Sequence, residues 1–273
     1  MTRVAVVTGA GAGIGRAIVT ALVSRGDTVV VTDLDGDKAA HVATVLDARG
    51  PGRAGAARLD VTDAAAVGEL VRATRAEHGR VDLMVNNAGV IIAGAAEELG
   101  LAHWQLAVDV NLRGVIHGVH AAYPIMVEQR AGHIVNIASI AGLTGFPLTT
   151  PYTATKHAVV GLSLSLRAEA AVHGVKVTAV CPGMTNTGFV PNPGLPPVPS
   201  AQRLTDLGGK GPGYRPEQLA EVVLRGIDRN KPLVIAPGSA HLLAGLYRLF
   251  PRLADRLGQR AVRAMADKGV VRT

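Results

Sequence analysis

Tyr152 and Lys156 stand four residues apart in the stretch Tyr152-Thr153-Ala154-Thr155-Lys156. On a helix, positions at that spacing share one face, so the ammonium sits beside the phenol. A free phenol has a pKa of about 10, and a fixed cation within about 4–6 Å favours the phenolate, which brings the group toward the range of a general acid/base. Lowering it by two or three units takes roughly 3–4 kcal/mol of differential stabilisation, at about 1.4 kcal/mol per unit. One close cation plus a hydrogen-bonding cofactor could supply that. A two-residue pattern also recurs by accident, so its weight depends on the elements that hold it.

Those elements begin with the apolar run Val4 to Val7, the glycine-rich turn Thr8-Gly9-Ala10-Gly11-Ala12-Gly13-Ile14-Gly15, and a helical pattern from Arg16 to Arg25. A strand, a glycine turn and a helix N-terminus together offer close backbone approach, unpaired N–H groups and a positive dipole to a pyrophosphate. The spacing from Gly9 to Gly15 is G-x-x-x-G-x-G, not the commoner G-x-G-x-x-G. Thr28 to Thr32 reads as a second buried strand closed by Asp33, 18 residues after Gly15. An acid there accepts hydrogen bonds from a ribose diol and repels a 2′-phosphate. No Arg or Lys lies between Gly9 and Gly15 or directly after Asp33, so the expected cofactor is NAD(H) rather than NADP(H).

Further along, 39–49 reads as a helix, 56–59 as a strand, and Asp60 to Asp63 as the strand exit with an N-cap for a helix over 64–78. Strands follow at 81–85, ending in Asn86-Asn87-Ala88-Gly89, at 134–137, ending at Ser139, at 176–180, ending at Pro182-Gly183, and at 233–235. Helices are expected over 101–130, with Asn111 inside, over 152–172 and over 217–228. This rhythm predicts an α/β fold, doubly wound, with a seven-stranded, mostly parallel sheet flanked by helices in a single domain. Ligands of such sheets sit at the carboxyl ends of the strands, where Gly13, Asp33, Asp60, Asn87, Ser139 and Gly183 fall.

Taken together these residues resemble the classical short-chain dehydrogenase/reductase family from about residue 3 to about residue 238. The family's T-G-x-x-x-G-I-G is matched by Thr8 to Gly15, its N-N-A-G by Asn86 to Gly89, its helix Asn by Asn111, its Ser by Ser139, its Tyr and Lys by Tyr152 and Lys156, and its P-G-x-x-x-T by Pro182 to Thr187. The resemblance implies a Rossmann-type NAD(P)-binding oxidoreductase. Tyr152 would exchange a proton with the substrate oxygen and Ser139 would hydrogen-bond that oxygen. Lys156 would lower the Tyr152 pKa and hold the nicotinamide ribose, and Asn111 would anchor a water in the proton relay. It further implies Gly9, Gly11, Gly13, Ile14, Gly15 and Asp33 at the cofactor, Asp60 and Val61 beside its adenine, Asn87, Ala88 and Gly89 along it, and Pro182, Gly183, Thr185 and Thr187 beside the nicotinamide. Thr155, where Ser is commoner, and Thr185, where Val or Ile is commoner, are the departures.

Composition bounds the rest. The chain has 273 residues, 48% apolar and 3% aromatic, which suits an aliphatic core around a parallel sheet. Cys181 is the lone cysteine, so an intrachain disulfide is excluded, and with Met1 close before the first strand the expectation is a cytoplasmic protein without a signal peptide. The net charge is +7, of which residues 241–273 carry +5 from seven Arg/Lys against Asp255 and Asp267. A basic tail without an aromatic stacking set does not make a nucleic-acid-binding face. His117 and His120 lie three apart but lack a supporting ligand, so no metal is expected.

The Pro- and Gly-rich segment 188–216 is read as a substrate lid on a catalytic domain of residues 1–238. Met184, Phe189, Val190, Leu195, Val198 and 143–148 would surround an apolar secondary alcohol or ketone. Residues 239–273 form a basic amphipathic tail in which Leu242, Leu243, Leu246, Leu249, Phe250, Leu253 and Leu257 recur beside Arg248, Arg252, Arg256 and Arg260, with Pro251 starting a second helix. Packing on the lid or on a second subunit is the reading adopted for it, ahead of peripheral membrane contact. The family resemblance implies a homo-oligomer, a dimer or tetramer, built through 101–130 and 152–172. An NADP-dependent 3-oxoacyl-type reductase and a silent dinucleotide sensor are the alternatives.

Overall fold

β1 (Val4–Val7) and β4 (Leu83–Asn86) are buried at every residue, as continuous aliphatic runs must be at the centre of a sheet covered on both faces. They lie in a computed structural model that describes residues 2–188, 191–207 and 213–271. With β2 (Thr28–Asp33), β3 (Arg53–Arg58), β5 (Gly132–Ile137), β6 (Val175–Pro182) and β7 (Leu233–Ala236) they form a seven-stranded sheet of order β3-β2-β1-β4-β5-β6-β7. Every pairing is parallel, where the sequence predicted a mostly parallel sheet. The order reverses between β1 and β4, which opens a crevice at their carboxyl ends.

The helices are α1 (Gly13–Ser24), α2 (Gly36–Asp47), α3 (Ala64–His78), α4 (Leu101–Val108), α5 (Gly114–Gln129), α6 (Thr150–Ala170), α7 (Pro199–Leu207), α8 (Pro216–Asp228), α9 (Gly238–Leu249) and α10 (Pro251–Asp267). One face buries Ile18, Leu22, Val23 and Leu219 from α1 and α8 against β1 and β2; the other buries Val71, Met126 and Ala170 from α3, α5 and α6 against β4 to β6. Each fully buried Val, Leu or Ile contributes roughly 1.5–3 kcal/mol, so these two layers hold the strand ends in place.

Local signals set the boundaries. The Asp63 carboxylate accepts from the Ala65 and Ala66 N–H groups and starts α3 where the N-cap reading put it. Asp35 accepts from the Lys38 N–H, so α2 begins at Gly36, three residues before the expected 39. Strand β3 starts at Arg53, not 56, because an edge strand can carry arginines instead of an apolar pattern. The helix expected over 101–130 is α4 and α5 joined by a π-turn at Asp109–Arg113, and the segment 188–216 contains α7.

Candidate active site

Gly9 and Gly13 adopt φ of +61° and +54°, the left-handed region that favours glycine. A Cβ on Gly9 would come within 2.7 Å of the Ala88 Cα, and one on Gly15 would collide with the Gly9 carbonyl oxygen. The turn is laced to the end of β4. Thr8 Oγ1 accepts from the N–H groups of Asn87 and Ala88, each at 3.0 Å, and Asn87 Nδ2 donates to the carbonyls of Thr8 and Gly9, each at 2.8 Å. Asn87 therefore shapes the cradle with its side chain. Ile14, half-buried, packs against the core beneath the turn.

Asp33 closes β2 beside this turn. Its Oδ2 accepts from Gly11 N–H at 2.9 Å and its Oδ1 from Asp35 N–H at 3.0 Å. Lys38, on the first turn of α2, pairs with Asp35 at 2.8 Å and feels the Asp33 charge. A Cβ on Gly11 would meet both Lys38 Cβ and Asp33 Oδ2 at 2.8 and 2.9 Å, so the sequence rule that found no cation near Asp33 missed Lys38. Asp60 is exposed and binds Thr62 N–H at 2.9 Å, while Val61 is buried and its carbonyl oxygen lies 2.9 Å from His117 Nδ1. That contact uses His117 to hold the Val61 backbone.

Asn111, fully buried in the π-turn, clamps Val90. Its Oδ1 accepts from Val90 N–H at 2.8 Å and its Nδ2 donates to the Val90 carbonyl at 2.9 Å. A π-turn rotates one residue out of α-helical phase, and such turns concentrate at functional sites. A Cβ on Gly89 would lie 3.0 Å from Asn111 Oδ1 and 3.6 Å from Lys156 Nζ, so these three residues meet at one point.

The Lys156 Nζ donates to the Ile137 carbonyl at 2.9 Å and lies 5.6 Å from the centre of the Tyr152 ring. The helix thus pairs amine and phenol as their spacing predicts, but the side chains of the protein alone do not acidify the phenol. Burial pushes the Tyr152 phenol above its usual value, with its hydrogen bond to the Ser139 hydroxyl acting the other way. Burial also lowers the Lys156 ammonium to about 8, and pushes the neighbouring Cys181 thiol up to about 12, which makes it inert. Two buried polar groups in one apolar setting resist charge more than they help each other acquire it. Ser139 Oγ accepts from Ala141 N–H at 3.1 Å, so its hydroxyl proton is directed away from the backbone, toward the Tyr152 phenol.

At the end of β6, Pro182 is buried, and Gly183 N–H donates to the Ala236 carbonyl at 2.7 Å. Thr185 Oγ1 donates back to the Gly183 carbonyl at 3.1 Å, and Thr185 pairs with Tyr214. A Cβ on Gly13 would lie 3.2 Å from Thr187 Cβ, so this segment passes beside the glycine turn.

One residue beyond Ser139 begins a cavity of about 610 Å³ lined by Ile140, Phe146, Met184, Tyr214, Ala240 and Leu243, among others. Met184 lies in its wall; Phe189 and Val190 lie outside the described residues. Leu195 and Val198 do not face the cavity, because they pack on Ile92, Ala93 and Leu99, and Leu148 packs on Ala95 and Val270. Leu143 joins the cluster beneath α6. Tyr214, Ala240 and Leu243 escaped the sequence reading, since a loop after a glycine run and a tail helix carry no motif that points at a strand end.

Residues 3–193 match a family model described as short chain dehydrogenase. An uncharacterized oxidoreductase of Staphylococcus saprophyticus is 38% identical over 185 residues, 68% of this chain and 79% of the relative. One from Staphylococcus aureus is 35% identical over 229 residues, 84% of this chain and 92% of the relative. A short chain dehydrogenase/reductase of Burkholderia phymatum, solved in complex with NAD, superposes with a TM-score of 0.84 at 31% identity over 92% of this chain and 95% of that one. A short-chain dehydrogenase of Streptomyces avermitilis gives 0.81 at 30% identity over 97% and 99%.

Proposed function

The chain belongs to the short-chain dehydrogenase/reductase family and is an NAD(P)-dependent oxidoreductase, and from that premise we propose that it interconverts an apolar secondary alcohol and its ketone, with NAD as the preferred cofactor. The observation that carries the reading is the convergence of Ser139, Tyr152, Lys156 and Asn111 on one strand-end crevice beside a glycine cradle. The cradle fits a dinucleotide. Side-chain atoms on Gly9, Gly11 or Gly15 would collide with Ala88, with Lys38 and Asp33, or with the Gly9 carbonyl, so only glycine keeps the turn in this shape, and the N-terminus of α1 opens from it with no side-chain cap on its N–H groups. Gly9 to Gly15 would hold the pyrophosphate, Asp33 the adenosine ribose, Asp60 and Val61 the adenine, and Ala88, Gly89, Lys156 and Pro182 to Thr187 the nicotinamide end.

Bound there, a nicotinamide dinucleotide supplies or accepts the hydride. The protein moves one proton and steadies one oxygen. In the reductive direction the Tyr152 phenol, protonated in its buried setting, donates its proton to the carbonyl oxygen as that oxygen gains charge. Ser139 turns its hydroxyl proton from the Tyr152 phenol to the same substrate oxygen, while its own oxygen still accepts from Ala141 N–H. Lys156, anchored on the Ile137 carbonyl, keeps further N–H donors for a ribose hydroxyl. The apolar walls of the adjoining cavity support a weakly polar substrate.

Replacing Tyr152 by Phe is expected to lower kcat by at least about 10²–10⁴-fold while dinucleotide affinity holds. Turnover retained in purified Tyr152→Phe would refute the assignment. A second reading, NADP use, draws support from Lys38, an exposed cation at the Asp33 corner. Comparing NADH and NADPH dissociation constants decides between them. Binding of NADH at least tenfold tighter is expected, since a 2′-phosphate beside the Asp33 carboxylate meets roughly 1.4 kcal/mol or more of repulsion. Exposed Leu101, Val108, Ile116 and Leu164 on α4, α5 and α6 support association of copies through these helices.

A further inference from the structure

The tail has two unlike sides. On its inner side Ala254 and Val270 are buried, and Val270 and Met265 pack on Ala95 and Leu148 of the same chain. On its outer side Leu249, Phe250, Leu253 and Leu257 remain 70%, 59%, 46% and 42% exposed. Leu253 and Leu257 are one turn apart, so they share a strip of α10, with Leu249 and Phe250 at the elbow where α9 meets it. Arg252, Arg256, Arg260 and Arg263 flank that strip at helical spacing and are also exposed. Over 238–271 six cations, Arg248 and Lys268 added, face only Asp255 and Asp267. Among the described residues, none of the tail arginines has a carboxylate within ion-pairing distance.

We propose that the outer face of α9–α10 docks on an anionic lipid surface, with Phe250, Leu253 and Leu257 at the acyl boundary and the flanking arginines on phosphate headgroups. A helix of low overall hydrophobicity with segregated apolar and arginine-rich faces is the form that lies in a membrane interface without crossing it. No helix among the described residues is long and apolar enough to cross a membrane. Charge decides against a second copy as the occupant. A two-fold contact sets the same patch against itself and would bring four arginines of one α10 toward four of the other, with only Asp255 and Asp267 on each helix to offset them. An anionic surface meets each of them with an opposite charge. The same α9 that leads into this face contributes Ser239, Ala240 and Leu243 to the wall of the cavity, so docking would bring that cavity toward the lipid. The docking itself does not depend on the redox reading.

The test is co-sedimentation of the full-length protein with phosphatidylcholine vesicles, alone or with about 30% phosphatidylglycerol. Partitioning at least about tenfold stronger on the anionic vesicles is expected, falling steeply with added salt. The triple variant Arg252→Glu, Arg256→Glu, Arg260→Glu and the double variant Leu253→Ser, Leu257→Ser should each abolish it, with circular dichroism and Tm showing that both fold. No pelleting by the wild type, equal pelleting on both vesicle types, or pelleting that survives the substitutions overturns the proposal. So does a fall in oligomeric mass in the leucine variant without vesicle binding by the wild type, which would give the face to a second copy.

Discussion

The ammonium of Lys156 is paired with a carbonyl oxygen, not a carboxylate, in a residue only 4% exposed. Its proton is therefore held less tightly in the folded protein, near 8, than in the unfolded chain, near 10.5. Between those values the unfolded state binds more protons, so stability rises with pH across that window, by up to about 3 kcal/mol. Below pH 8 the full cost of burying the charge is present. Lys156→Met should consequently be more stable than wild type at pH 7 by about that amount and show a flatter stability profile between pH 8 and 10.5, while turnover collapses. Urea unfolding of both proteins at several pH values measures it; a variant less stable at pH 7 would mean that the amine is net stabilising. At this scale the sequence showed the partners but not their titration. Spacing on a helix reveals that Tyr152 and Lys156 meet, whereas burial, which decides their pKa values, comes from β5, β6 and Cys181 packing around them.

At the scale of elements, His133 shows how strand ends are tied together. On β5 it is buried, its Nε2 lies 2.8 Å from Thr178 Oγ1 on β6, and Thr178 donates to the Lys231 carbonyl before β7 at 2.7 Å. Burial and the Lys176 charge depress its pKa to about 3 from 6.5. The unfolded chain takes up the proton first on acidification, so stability is complete above pH 6.5 and declines as pH falls toward 3. His133→Gln, which keeps a polar group in reach of Thr178, should flatten that acid limb between pH 6.5 and 4 in thermal unfolding scans. An unchanged limb would assign it to the carboxylates instead. The elements themselves were legible where one residue type carries the signal. Asp63 gave the start of α3, and the glycine run gave the turn before α1. The π-turn at Asn111 was not legible, because a change of helical register is imposed by the Val90 bonds across the fold. Nor was α7, whose surroundings read as Pro- and Gly-rich loop.

On the scale of the whole molecule, the tail poses the question of what the fold needs and what the site needs. All seven strands end by Ala236, and neither of the two large core layers contains a residue beyond it. Among the described residues the tail touches the rest through Ala240 and Leu243 in the cavity wall, His241 Nε2 at 3.0 Å from the Ile235 carbonyl, Tyr247 donating to the Gly145 carbonyl at 2.7 Å, and Val270 packed on Ala95 and Leu148. Arg203 ties the last of these to α7, donating to the Val270 carbonyl at 3.1 Å and to Glu98 at 3.2 Å. The dinucleotide cradle receives none of these contacts. Removing residues 238–273 should therefore leave one cooperative unfolding transition, with the loss of buried Val270, Ala254 and Ala240 costing about 3–4 kcal/mol and lowering Tm by roughly 10 °C. Dinucleotide affinity should stay within about threefold, while KM for an apolar alcohol rises at least about tenfold as the cavity loses a wall. Calorimetric titration with NADH and steady-state kinetics on the same preparation separate the two effects. If the shortened chain lost the dinucleotide and the substrate together, α9 and α10 would be part of the folding unit and not a wall added to it.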